Sequence, residues 1–164
     1  MKNNILTMNL IGLLGVGILS SCATPQKSSI GNFVARLEVK EPIPGVCDNE
    51  NVIAILPFPG NAQETAKAPK TKEEIMQELN SRVKFLNDKP NYEDKGMVNL
   101  IINCKGELVR CQIDIKTKSA ELDSQIVAVF AELKRWTPGK INGTPVDVSE
   151  LYSFTITNGK IQVN

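Results

Sequence analysis

The stretch from Val146 to Asn164 reads VDVSELYSFTITNGKIQVN, and how it folds decides the class of the whole protein. Val146, Val148, Tyr152, Phe154 and Ile156 share one parity, so a strand over 146–157 places them on a single face. Asn158-Gly159 offers two adjacent residues that tolerate positive φ, which a two-residue hairpin turn requires. Folding 160–164 back across that turn sets Phe154 opposite Val163 and Ile156 opposite Ile161. One antiparallel hairpin is thereby fixed.

Working upstream, Leu122, Ile126, Val129, Phe130 and Leu133 recur at helical spacing and predict a helix from about Asp123 to Lys134. Asp123 lies near its start, where the helix dipole favours an anion, and Trp136-Thr-Pro-Gly139 ends it. Before this helix, Val98–Ile102 and Leu108–Ile115 read as two strands joined through Cys104-Lys105-Gly106, with the glycine supplying positive φ. The turn length is open, so Cys111 falls opposite residue 99 or residue 100. A first helix is expected over Thr71–Leu86, where Thr71 and Glu74 form a capping box and Ile75, Leu79, Val83 and Leu86 line one face. Asn87-Asp-Lys-Pro90 stops it. Earlier still, alternation of Phe33, Ala35, Leu37 and Val39 predicts a strand within 31–40, and NVIAIL predicts another over 51–56. Pro57-Phe-Pro-Gly60 terminates that run, and 61–70 reads as a small polar loop. The order predicts an α+β fold with two helices packed on one face of a small antiparallel sheet.

The amino end reads differently. Lys2 precedes an apolar run over Ile5–Leu19 that is short for a bilayer span of about 20 residues, and small residues follow it, as in a cleaved export signal. Leu19-Ser20-Ser21-Cys22 resembles the lipobox of bacterial lipoproteins, in which a branched apolar residue and two small ones precede the cysteine that receives lipid. The resemblance implies cleavage before Cys22 and stable anchoring by two or more acyl chains. Ala23-Thr-Pro-Gln-Lys27 carries no acid beside the lipid, which by likeness to sorting signals implies an outer-membrane anchor facing the periplasm. The division expected is a signal peptide over 1–21, a tether over 22–30, strands and a loop over 31–70 that pack on or lead into the domain, and the domain itself over 71–164.

Composition narrows the chemistry. The net charge is +1 and histidine is absent, so neither a nucleic-acid surface nor a Ser-His-Asp or Cys-His nucleophile is indicated. With Cys22 committed to lipid, Cys47, Cys104 and Cys111 remain in a compartment where disulfides persist. Cys104 at the hairpin tip lies several rungs from Cys111, so these two are too far apart to bridge. Cys47 is the partner for either, with Cys104 or Cys111 left open. Glu73-Glu74, Glu93-Asp94 and Asp147/Glu150 read as solvated surface acids, Asn142-Gly-Thr144 as a turn, and a leftover thiol as inert. No enzyme activity, cofactor, metal or small-molecule substrate is expected.

From residue 71 onward the chain resembles the C-terminal domain of the TonB family of energy transducers. The residues that carry the likeness are Leu100-Ile-Ile-Asn-Cys-Lys-Gly106, Leu122-Asp123, and Trp136-Thr-Pro-Gly-Lys-Ile-Asn-Gly-Thr-Pro-Val146 followed by Phe154. Leu56-Pro-Phe-Pro-Gly60 is similar to a Pro-Gly stretch ahead of the domain in relatives. Trp136 is expected to plug the end of the core, while Pro138, Gly139, Gly143 and Pro145 shape the loop into the last strand. In the family an extended receptor peptide adds to that strand's edge, which maps here onto Val148, Tyr152, Phe154 and Ile156. Two departures stand beside the likeness. An uncleaved membrane helix and a long proline-rich arm are missing, with a tether of about 30 Å at 3.3–3.6 Å per residue in their place, and the Asn158-Gly159 hairpin lays the chain's own strand where a receptor peptide would lie. The expectation is a lipid-anchored, periplasm-facing protein-interaction module linked to TonB-dependent transmembrane transport, its partner an outer-membrane receptor or periplasmic protein. The alternative is an envelope structural lipoprotein whose self-capped TonB-like sheet no longer transduces energy.

Overall fold

The computed structural model describes residues 34–55 and 62–164. The lipobox residues Leu19, Ser20, Ser21 and Cys22, the 22–30 tether, Phe33 and Pro57–Gly60 lie outside the described residues. Along the chain run β1 (Val34–Arg36), β2 (Ile53–Ile55), β3 (Gln63–Glu64), α1 (Lys72–Arg82), a 3-10 turn (Lys84–Leu86), β4 (Asp94–Ile102), β5 (Leu108–Ile115), α2 (Ala120–Ala131), β6 (Gly139–Ile141), β7 (Thr144–Val146), β8 (Val148–Thr157) and β9 (Lys160–Val163).

The class is α+β, with two helices and a mixed sheet. The strand order is β1-β2-β8-β4-β5, with β9 also paired to β8, and a second, smaller sheet is ordered β3-β6-β7. The expected purely antiparallel sheet is corrected at one place. β2 runs parallel to β8, meeting it at Ile53 and Val148, with the Ile53 amide donating to the Asp147 carbonyl at 3.1 Å. Residues 34–55 therefore build one edge of the domain's own sheet.

Local chemistry explains the elements. Thr71 Oγ1 accepts from the Glu74 amide at 3.2 Å, and Glu74 Oε2 accepts from the Thr71 amide at 2.7 Å, so the capping box opens α1 as expected. The α-helix stops at Arg82, short of Leu86, because Val83 turns extended at ψ 96°. The apolar stripe nonetheless continues through the 3-10 turn, and Ile75, Leu79, Val83 and Leu86 are all buried. α2 begins earlier than Asp123, because Ser119 supplies the N-cap oxygen to the Leu122 amide at 3.3 Å. Asp123 instead faces inward and accepts from the Thr117 amide and hydroxyl.

Ile156 pairs with Ile161 and Phe154 with Val163 across the turn at Asn158 and Gly159, both of which take positive φ. In the β4–β5 hairpin Cys111 lies opposite Leu100, and Gly106 takes φ +80°. A Cβ at Gly106 would run into the Trp136 carbonyl. Val98, Leu100, Ile102, Phe154, Ile156, Ile161 and Val163 meet Ile75, Leu79, Leu122, Ile126 and Phe130 beneath the helices. Each such side chain contributes about 1.5–3 kcal/mol on burial, so this layer fixes which sheet face the helices cover. On the opposite face Ile101 packs with Ile43 and Val52, while Leu151 and Ile115 stay exposed.

The polar loop expected over 61–70 is corrected as well. Gln63 and Glu64 pair with Ile141 and Lys140, and Lys67 exchanges two backbone hydrogen bonds with Thr137 at 2.9 and 3.0 Å. The Trp-Pro-Gly-Gly-Pro segment supplies the other half of this small sheet. Asn142 and Gly143 take φ of 49° and 80°, the geometry of a two-residue hairpin turn, and fold β7 onto β6. Pro145 gives the ladder no donor, which an outer strand tolerates.

Candidate functional site

Trp136 is 4% exposed. Its indole Nε1 donates to the Leu133 carbonyl at 2.9 Å, its ring stands edge-on to Tyr152 at 6.2 Å, and its amide donates to the Gly106 carbonyl at 3.0 Å. The tryptophan thus closes the core where α2 meets the β4–β5 hairpin, as a plug with a satisfied polar handle. Gly139 is buried, and a Cβ there would crowd the Val148 side chain. Pro145 and Gly143 lie exposed on the β6–β7 hairpin, and Pro138 is half-buried.

The strand named for partner binding presents little of itself. Val148, Phe154 and Ile156 are buried under the helices, and Tyr152 packs on Phe130 at 5.2 Å between ring centres. Along the backbone of β8, β4 takes one side over its whole length. β2 takes the other side at Val148 and β9 takes it over Phe154–Thr157, with a stretch over 149–153 between. Glu150 lies in that stretch, and its carboxylate accepts from the Ala66 amide at 2.9 Å. The chain's own strands thus pair with this edge at both ends of β8.

Asp147 and Glu150 are not the solvated acids expected from sequence. Glu150 is half-buried, and burial pushes its carboxyl from the ordinary 4.5 up to about 7. An acid raised in the folded state binds a proton that the unfolded chain releases, so its contribution is full below pH 4.5 and is lost as pH rises through 7. Glu150→Gln, which keeps an oxygen for the Ala66 amide, should therefore unfold at higher temperature than the parent at pH 8 and at the same temperature at pH 4. A thermal scan at both pH values checks this, and a Gln variant that is less stable at pH 8 contradicts it.

Asp147 is 2% exposed and its carboxylate is fully engaged. Oδ1 accepts from the Cys47 amide at 3.0 Å and the Cys104 amide at 2.9 Å, and Oδ2 accepts from the Asp48 amide at 2.7 Å. Of the two partners left open for Cys47, the structure places Cys104 beside it in a disulfide with Cα atoms 6.1 Å apart. The Cys47 and Cys104 sulfurs and an Asp147 oxygen lie within 4.8 Å of one another. As a ligand set they are spent, because the sulfurs are bonded to each other and the carboxylate to three amides. The cluster is a clasp between the 47–48 segment, the β4–β5 turn and the start of β8. Beside it opens a cavity of about 470 Å3 whose walls include Arg36, Ile53, Ile141 and Pro145.

No family model, curated protein or solved structure matches the chain.

Cys111 is the free thiol among the described residues. It sits beneath α2 with its sulfur 3.7 Å from the Val127 carbonyl, and burial pushes its pKa up to about 11. Since the thiolate is the reactive form, a maleimide at pH 8 should label Cys111 in the folded protein at under about a tenth of the rate found in urea. Equal rates would place this cysteine at the surface. Glu93 takes the Asn158 amide at 2.8 Å, and Asp94 takes the Lys118 amide at 2.9 Å and the Tyr92 hydroxyl at 2.8 Å.

Proposed function

We propose that the chain is a lipid-anchored, periplasm-facing protein-interaction module of the TonB C-terminal type, held at the outer membrane through Cys22 and linked to TonB-dependent transport. The observation that carries the reading is the arrangement from α1 to β8. Two helices lie on one face of a sheet ordered β8-β4-β5, and a buried Trp136 sits at the passage from α2 into the Pro-Gly segment. That is the helix, hairpin, helix, strand pattern which the Trp-x-Pro-Gly family shares. The buried carboxylate of Asp147 is spent on three backbone amides, which fits a binding module better than a catalyst.

The test has two arms. Metabolic labelling with an alkynyl palmitate should mark the chain and leave Cys22→Ala unmarked; a labelled Cys22→Ala, or an unlabelled parent, overturns the anchor. A photoreactive residue scanned over exposed positions should give a discrete protein adduct in cells from the lipidated chain. Absence of any adduct overturns the interaction reading.

The pairing of both ends of the β8 edge with the chain's own strands favours one second reading, an envelope structural lipoprotein whose self-capped sheet no longer transduces energy. In that case adducts are absent and deletion of the protein weakens the envelope.

A further inference from the structure

The strand edges of the main sheet differ in how they are finished. Along β9, Asn80 of α1 donates Nδ2 to the Ile161 carbonyl at 2.8 Å and accepts the Ile161 amide on Oδ1 at 2.9 Å. One side chain thus stands in for a pairing strand. β8 is paired on the side away from β4 at both of its ends, with Glu150 between them held to Ala66. β5 is one terminal strand of the order, with β1 at the opposite end. Among the described residues, no backbone hydrogen bond joins its outer edge to another element, and α2 rests on its face at Cys111. Ladder irregularities skip Val109 and Asp114, leaving Arg110–Ile113 as the regular run.

Charge is uneven here. The chain carries a net charge of only +1, yet Lys105, Arg110, Lys116, Lys134 and Arg135 lie on or beside β5 against Glu107, Asp114 and Glu132, the last of which is taken by Arg82 at 2.7 Å. Apart from Arg82, none of these cations belongs to an ion pair among the described residues, and Glu107 is held by the Asn103 amide group at 2.7 Å. At the start of the strand a cavity of about 420 Å3 has Leu108 and Leu133 in its wall and Lys105, Lys134 and Arg135 around it. In mid-strand the Arg110 Nε–H is shielded from solvent with no acceptor, a condition that folded proteins seldom leave unrelieved.

We propose that the β5 edge takes up an extended acidic peptide segment of a partner protein. The segment adds a strand along Arg110–Ile113 and sets a carboxylate among Lys105, Lys134 and Arg135. The inference rests on the interaction-module reading and moves its docking edge from β8 to β5, on the other side of β4. Backbone pairing supplies a sequence-tolerant hold, and the cations select the sign of the partner's charge and speed its arrival.

The probe is an acetylated hexapeptide of alternating glutamate and valine, set against its lysine-valine counterpart, with the full chain. The acidic peptide should bind about tenfold or more tightly than the basic one and weaken with salt. It should slow amide exchange over 108–115 but not over 149–157. Binding should fall about tenfold in Lys105→Glu/Lys134→Glu/Arg135→Glu, and should vanish when one of the two alternate sets of peptide nitrogens is methylated. Equal affinity for both peptides overturns the proposal. Protection over 149–157 instead, or no peptide binding while the cellular adduct persists, overturns the β5 assignment and leaves the interaction module standing. Loss of the adduct as well removes both. Protection of 108–115 by raising protein concentration alone assigns the edge to a second copy and likewise overturns it.

Discussion

Asp147→Ala should lower the stability of the protein by about 4 kcal/mol, because each buried amide left without an acceptor costs about 1–3 kcal/mol. Three amides lose their partner at once, those of Cys47, Asp48 and Cys104. Water reaches part of this set, since Cys47 and Asp48 are themselves exposed, which keeps the expected loss below the full sum. Asp147→Asn is the sharper variant. It preserves size but turns one acceptor into a donor that faces a backbone N–H, so it should recover less than half of the loss. Urea unfolding of the three proteins gives the comparison, and a loss under about 1 kcal/mol in Asp147→Ala would mean that the amides find other acceptors.

Opening the Cys47–Cys104 bond should cost a similar amount. The two residues are 57 apart in sequence, and closing a loop of that length in the unfolded chain is worth about 4 kcal/mol in the chain-entropy treatment. Cys47→Ser/Cys104→Ser, or the parent in excess reductant, should therefore unfold at a lower urea concentration with its helices and main sheet intact beforehand. Both cysteine amides are held by Asp147, so adding Asp147→Ala to the double serine variant should cost less than the two losses summed. Peptide mapping without reductant should return Cys47 linked to Cys104 and Cys111 unlinked. A link to Cys111 would refute the arrangement.

What was legible in the sequence was local. The capping box at Thr71 and Glu74, the stripe of Ile75, Leu79 and Val83, and the Asn158-Gly159 turn each involve residues a few positions apart. Their physics is complete within a short window. The β6–β7 hairpin carries the same Asn-Gly pair at Asn142-Gly143, but its strands are three residues each and one contains Pro145, too short a run for alternation to mark them as strands. By contrast, Asp147 takes its amides from residues 100 and 43 positions away, and nothing in Val146-Asp-Val148 marks that aspartate as an interior acceptor. The parallel meeting of Ile53 with Val148 likewise depends on a long return of the chain. The strand face at Val148, Tyr152, Phe154 and Ile156 was correctly grouped by parity. That parity gave the side chains' common direction, while the occupancy of the strand's edge is a property of the whole sheet.

The disulfide also sets a route for force. Tension entering at the Val34 end can peel the chain only as far as Cys47, where a covalent link passes it to Cys104 at the tip of the β4–β5 hairpin. From there the chain runs back into β4 at Ile102 and onward into β5 at Leu108. A load applied between the amino end and that outer strand therefore crosses two sulfur atoms and a short turn, and both helices and the packed layer beneath them are left slack.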